Sequence, residues 1–249
     1  MKSPIYLSIL EAVKQKHKLF IVLIDPDKCS DDARIHQFAT LLNKAEPDLV
    51  FIGGSLTSES TACLIKQLKT ECHIPTVLFP GNAIQFTPEA DALLFLSLIS
   101  GRNSDFLIGQ HVVIAPAVKQ SGIETISTGY ILVESNDTTA VEYISNTRPI
   151  PRQKPQLAAA TAIAGELLGN KLIYLEAGSG ATPPVSFAMI SSVKKSITVP
   201  LIVGGGLRSN EDILSALQAG ADAVVVGNVL ETDPEKMLDF AKTIKNFVQ

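Results

Sequence analysis

Short apolar runs recur along the chain, and most are separated by segments with helical periodicity. Eight of these runs predict strands at residues 19–24, 48–52, 76–79, 92–96, 126–133, 172–175, 201–203 and 223–226. Strands this short and this uniformly apolar suit a parallel sheet covered on both faces. Between them, helices are predicted near 30–44, 58–72, 105–121, 138–146 and 155–168. Ser30 is the expected cap of the first of these. Ser209 with Asp212 three residues later predicts a capping box, and Asp233 before Pro234 predicts a capped helix start. The opening stretch, 1–18, reads as an amphipathic helix; it lacks the unbroken apolar segment and small-residue cleavage site of a signal peptide.

One interval breaks the alternation. Between Asn82 and Ala90 there is too little chain for a barrel helix. Eight strands mostly alternating with helices predict a single (β/α)8 TIM-type barrel domain over residues 1–249, with its third helix missing or replaced by a loop or short strand. A doubly wound open sheet is the rival architecture. It would be favoured by a GxGxxG turn after the first strand, where Asp25-Pro26-Asp27 stands instead.

Composition narrows the classes further. Apolar residues make up 46% and charged residues 18% of 249, a globular balance. The mean hydropathy of +0.25 is high, yet no run approaches the length of a membrane span. Buried parallel strands account for it. Net charge is −4 with no basic stripe, which argues against a nucleic-acid partner. Cys29, Cys63 and Cys72 are an odd set without metal-ligand spacing, as expected of reduced thiols in a cytoplasmic protein.

Candidate chemistry clusters just after the strands, the face where barrel enzymes work. Three late clusters are rich in glycine: Tyr174-Leu175-Glu176-Ala177-Gly178-Ser179-Gly180, Gly204-Gly205-Gly206 and Gly227-Asn228. Glycine lets backbone N–H groups approach an anion closely, so these turns predict a phosphate cradle. Arg208 could add charge or stand solvated on its helix. Asp25 and Asp27, beside Gly53-Gly54-Ser55, could hold Mg²⁺ or serve only as caps of turns. Glu176 at the end of a buried strand is a candidate general base, and Tyr174 either orients a substrate oxygen or packs. His17, His36, His73 and His111 fall on helices or at their ends and read as structural or solvated.

The segments IDPDK (24–28), FIGGS (51–55), FPGN (79–82), YLEAGSGA (174–181), VGGGLRS (203–209) and VVVGNVLE (224–231) together resemble the geranylgeranylglyceryl phosphate synthase family, which includes bacterial heptaprenylglyceryl phosphate synthases. The resemblance runs in order over nearly the whole chain. It implies a prenyltransferase that joins sn-glycerol 1-phosphate to geranylgeranyl diphosphate as an ether and releases diphosphate. It implies Mg²⁺ at Asp25 and Ser55, and glycerol phosphate held by Tyr174, Leu175, Glu176, Ala177, Gly178, Ser179, Gly180, Gly205, Gly206, Gly227 and Asn228. Glu176 would accept the hydroxyl proton. A homo-oligomer is implied too. The lipid-borne substrate leaves peripheral membrane contact open, although no anchor is visible. The heptaprenyl branch carries lysine two residues before the metal aspartate; Leu23 stands there and favours the geranylgeranyl branch.

A prenyl chain needs an apolar groove, and Phe86, Leu94, Leu96, Leu98, Ile99, Leu132 and Val133 are its candidate wall or core residues. Two other readings share the glycine turns: an isomerase or lyase of a sugar or indole phosphate, with Asp25 and Glu176 as its acid–base pair, and a non-catalytic phosphate-binding protein.

Overall fold

Eight parallel strands pair in chain order and close on themselves, the first against the last. The computed structural model describes residues 4–247. The strands are β1 (Leu19–Ile24), β2 (Leu49–Ile52), β3 (Thr76–Leu78), β4 (Ala92–Leu98), β5 (Glu124–Leu132), β6 (Leu172–Glu176), β7 (Leu201–Gly204) and β8 (Ala223–Val226). The helices are α1 (Pro4–Lys14), α2 (Asp32–Ala45), α3 (Thr61–Glu71), α4 (Gln110–Ser121), α5 (Ala140–Ser145), α6 (Pro155–Leu167), α7 (Phe187–Lys194), α8 (Asn210–Ala219), α9 (Asn228–Thr232) and α10 (Lys236–Lys245). No helix links β3 to β4; a single short turn, Ala83–Gln85, takes its place, as the short interval predicts.

Strand periodicity divides the core in two. On β6, Leu172 and Tyr174 join the cluster inside the barrel, while Ile173 and Leu175 join the cluster between strands and helices. The same alternation puts Ile21 and Leu23 of β1, Phe51 of β2, Tyr130 of β5 and Val225 of β8 inside. Among the described residues no helix is long and apolar enough to cross a membrane.

The amino-terminal end of the barrel is stopped by α1. Ile5 and Ile9 enter the interior cluster from below. The helix is held there by a borrowed cap: the N–H groups of Ile5 and Tyr6 donate to the two carboxylate oxygens of buried Glu124, at 2.9 and 2.8 Å. A carboxylate at this position satisfies orphan donors and complements the helix dipole.

Two helix starts differ from expectation. Asp31, not Ser30, caps α2, accepting from the Arg34 N–H at 2.9 Å. Asp233 closes α9 instead of opening the last helix; a turn donating Lys236 N–H to the Asp233 carbonyl and Met237 N–H to the Pro234 carbonyl intervenes before α10. The Ser209–Asp212 capping box is present at α8. Strand β5 begins at Glu124, earlier than its apolar run, because that residue pairs with Ala92 in the ladder and faces α1. Cys29 and Cys72 are buried, Cys63 is exposed, and all three are free.

Replacing Glu124 by Ala leaves two N–H groups of α1 without their acceptor. We expect a loss of about 2 kcal/mol of stability, read as a lower Tm in thermal denaturation. An unchanged Tm would show that the borrowed cap holds nothing.

Candidate active site

The carboxyl ends of β1, β2, β6, β7 and β8 converge on one cavity. Asp25 follows β1; Gly53, Gly54 and Ser55 follow β2; Gly205, Gly206 and Arg208 follow β7; Gly227 and Asn228 follow β8. Tyr174 and Glu176 project from β6 into the same mouth. The cation-binding candidates and the glycine turns therefore face each other across a shared space.

Glu176 is the most constrained group in it. Its carboxylate is buried, and Oε1 accepts the Gly178 N–H at 2.7 Å. Burial pushes its carboxyl up to about 7, while the Gly178 N–H and the nearby Tyr174 and Tyr130 phenols pull the other way. Tyr130 and Tyr174 stack at 5.4 Å between ring centroids, and Phe79 lies 5.2 Å from Tyr174. Burial, then the neighbouring Glu176, holds both phenols well above their ordinary value. The Tyr174 hydroxyl is buried without a hydrogen-bond partner. Tyr130 escaped the sequence reading; its only signal was its alternation with Thr128 and Ile126 on β5.

The glycine turns do two jobs. A Cβ on Gly204 would fall 2.0 Å from the Tyr174 hydroxyl, and one on Gly205 2.2 Å from Glu176 Oε1. These two glycines make room for the side chains of β6. Gly205 and Gly206 also take positive φ, +80° and +74°, which glycine tolerates best. Opposite them, Asn228 Oδ1 accepts from the Ser179 hydroxyl at 2.9 Å and the Gly180 N–H at 2.8 Å, tying the turn after β6 to the end of β8. Arg208 is no bystander: it lines the mouth and donates to the Gly180 carbonyl. Leu175 and Ala177, expected with the substrate-binding stretch, instead bury their side chains in the outer core. Strand alternation sends every second residue of this stretch the other way.

The two aspartates after β1 separate. Asp27 is engaged by the N–H groups of Ser58 and Glu59, each at 2.8 Å, and by the Ser58 hydroxyl; these bonds, the Glu59 N–H foremost, lower its carboxyl. Its role is to brace the turn. Asp25 accepts the Asp27 N–H through Oδ1 at 3.0 Å, and its Oδ2 lies over Gly54, where a Cβ would come within 2.9 Å. Burial raises the Asp25 carboxyl. Glu231, unforeseen from sequence, shares the mouth; burial and then the Asp25 charge raise it. Among the described residues no three His, Cys, Asp or Glu side chains form a ready metal cage. One open carboxylate beside a hydroxyl still fits Mg²⁺, which takes one or two carboxylates and keeps waters and substrate oxygens.

Beside Ser55 the mouth continues into an apolar groove where the third helix is missing. Phe86, Leu94, Leu96 and Leu98 line it, together with Phe95, Phe106 and Ile114. Leu132 and Val133 belong to the core, and Ile99 packs near Gly129 and Gly165. His111, expected to be structural or solvated, also lines the groove. It is buried, its Nε2 is 3.1 Å from the Ser97 hydroxyl, and burial lowers its pKa. His17 and His36 lie at the surface, against Asp48 and Glu71.

The model of the PcrB family matches residues 11–245. A geranylgeranylglyceryl phosphate synthase of Spirosoma linguale is 50% identical over 236 residues, 93% of each chain. One of Pyrococcus furiosus is 41% identical over 220 residues, covering 88% of this chain and 86% of its own. The crystal structure of (S)-3-O-geranylgeranylglyceryl phosphate synthase from Thermoplasma acidophilum, in complex with its substrate sn-glycerol-1-phosphate, superposes with a TM-score of 0.92 at 27% identity over 99% of this chain and 100% of that one.

A buried carboxyl raised to about 7 is protonated in the folded chain below that pH and ionised above it. Unfolding returns it to an ordinary value, so its favourable contribution is complete below about pH 4.5 and is lost as pH rises through 7. Glu176→Gln removes this loss. The variant should be the more stable by order 3 kcal/mol at pH 8.5 and near wild type at pH 4.5. Equal Tm differences at the two pH values would contradict the burial argument.

Proposed function

The chain belongs to the PcrB family, and from that membership we propose that it transfers the geranylgeranyl group of geranylgeranyl diphosphate to the C3 hydroxyl of sn-glycerol 1-phosphate. It is a prenyltransferase of ether-lipid biosynthesis. The observation that carries the reading is the position of Glu176: a buried, weakly acidic carboxylate at one mouth shared by a glycine-rich cradle and an apolar groove.

The parts divide the work. The turns after β6, β7 and β8 bind the phosphate of glycerol phosphate: Gly205, Gly206, Gly227 and Asn228 supply N–H donors, and the Ser179–Gly180 turn, tied to Asn228 Oδ1, closes the cradle. Anchoring the phosphate converts a weak hydroxyl into a placed nucleophile. The groove takes the isoprenoid tail and leaves the allylic carbon near Ser55. Asp25 and the Ser55 hydroxyl would hold Mg²⁺, which neutralises the charge growing on the leaving diphosphate. The C3 oxygen bonds to the allylic carbon, the bond from that carbon to diphosphate breaks, and the hydroxyl proton passes to Glu176. The stacked Tyr130 and Tyr174 close the apolar floor beneath that carboxylate and keep water from it. A Cβ on Gly227 would come within 3.3 Å of the Leu23 side chain, which lines the mouth with an apolar group. A sugar-phosphate isomerase would have no use for the long apolar groove beside the cradle.

The direct test supplies sn-glycerol 1-phosphate, geranylgeranyl diphosphate and Mg²⁺ and measures diphosphate release. Asp25→Asn should lower kcat/KM roughly hundred-fold or more, while glycerol phosphate still binds. Activity like wild type in that variant would remove Asp25 from the metal site.

The base must be ionised to act. For the wild type, kcat/KM should therefore fall as pH drops below about 7. Glu176→Gln should lose roughly 10²–10⁴ in rate and lack that acidic limb. An unaltered pH profile in the variant would assign the proton to another group.

A further inference from the structure

A second polar cavity opens beside the groove, between the chain leaving β4 and the chain leaving α5. Arg102 and Asn103 line one side, and Asn146 and Arg148 the other. The two sides are tied by the Asn103 amide, which donates to the Ser145 carbonyl at 2.6 Å. Among the described residues neither guanidinium meets a carboxylate. Arg102 donates to the adjacent Gly101 carbonyl. Two uncompensated guanidinium groups on opposite walls of one polar cavity suit a phosphate oxygen cluster.

The elements flanking this cavity also build the groove. Phe106, from the wide helical turn Asp105–Gly109, and Val141 and Ile144, from α5, point into it. The outer faces of the same elements are apolar as well. Ile108 is 59% exposed, Tyr143 81%, and Val112 on α4 66%. Asp105, the acidic residue of that turn, lies with its carboxylate against Gly109. Apolar side chains next to unpaired cations, at the rim of a groove for a lipid-borne tail, match the chemistry of an anionic membrane surface.

We propose that this face docks on an anionic bilayer, with Arg102 and Arg148 receiving lipid phosphates and Ile108, Val112 and Tyr143 entering the headgroup region. The purpose follows from the prenyl-transfer reading on which the proposal rests: the groove would then open toward the phase that holds its substrate.

Vesicle flotation of the whole protein without substrate tests it, using phosphatidylcholine vesicles with and without roughly one-third phosphatidylglycerol. Wild type should bind the anionic vesicles preferentially, and less at high salt. Arg102→Gln with Arg148→Gln should cut that partition roughly ten-fold or more. Ile108→Ser with Tyr143→Ser should weaken binding to both vesicle types. Turnover of a short, water-soluble prenyl diphosphate without vesicles should be unchanged in all of these variants. No turnover in wild type would instead defeat the prenyl-transfer reading, whatever the vesicles show. Partition that is absent, or indifferent to lipid charge and to both double variants, overturns the proposal. Inorganic phosphate that stabilises wild type but not the arginine variant, with no vesicle binding, assigns the cavity to a soluble anion and overturns it too. A changed sedimentation coefficient in the variants without vesicle binding does the same in favour of a second copy of the chain.

Discussion

The constraint on which the rest depends is the burial of one carboxylate. Glu176 sits above an apolar barrel interior, its carboxylate accepting the Gly178 N–H. An ionised group in that setting costs free energy, so the fold must be stable enough to tolerate it. The lower layers provide this: Leu172, Ile21, Phe51 and Val225 fill the barrel beneath, and α1 closes its far end. The same burial makes the carboxylate a weak enough acid to exchange a proton near neutral pH. Stability is concentrated at one end of the barrel and chemistry at the other.

Much of this was legible in the chain. The eight apolar runs locate all eight strands, because parallel strands buried on both faces are predominantly apolar. The short interval 82–90 reveals the missing helix, since a helix needs more chain than that. Asp25, Ser55, Glu176, Gly205, Gly206, Gly227 and Asn228 do meet at one mouth, because strand ends of a closed barrel must converge there. Element edges were less legible. Ser30 and Asp31 are both good caps, and only the backbone geometry selects Asp31. Glu124 looks like a poor strand residue until α1 supplies donors for it.

What the chain concealed depends on residues meeting across distant segments. Tyr130 earns its place only by stacking on Tyr174, forty-four positions away. The glycines after β7 looked like an anion cradle alone, yet Gly204 and Gly205 also clear space for Tyr174 and Glu176. Asp25 and Asp27 carry the same functional group two residues apart, and only the N–H groups of Ser58 and Glu59 separate a brace from a carboxylate open to the mouth. His111 falls on a helix by sequence and faces the groove by packing.

The seam between β3 and β4 joins only two residue pairs, whereas seven pairs join β4 to β5. Without a helix laid across it, this is the stretch of the cylinder with the thinnest backbone lacing. Local breathing is cheapest where the fewest ladder bonds must part. The apolar groove therefore coincides with the wall most able to yield, and widening it leaves the remaining staves of the cylinder fastened.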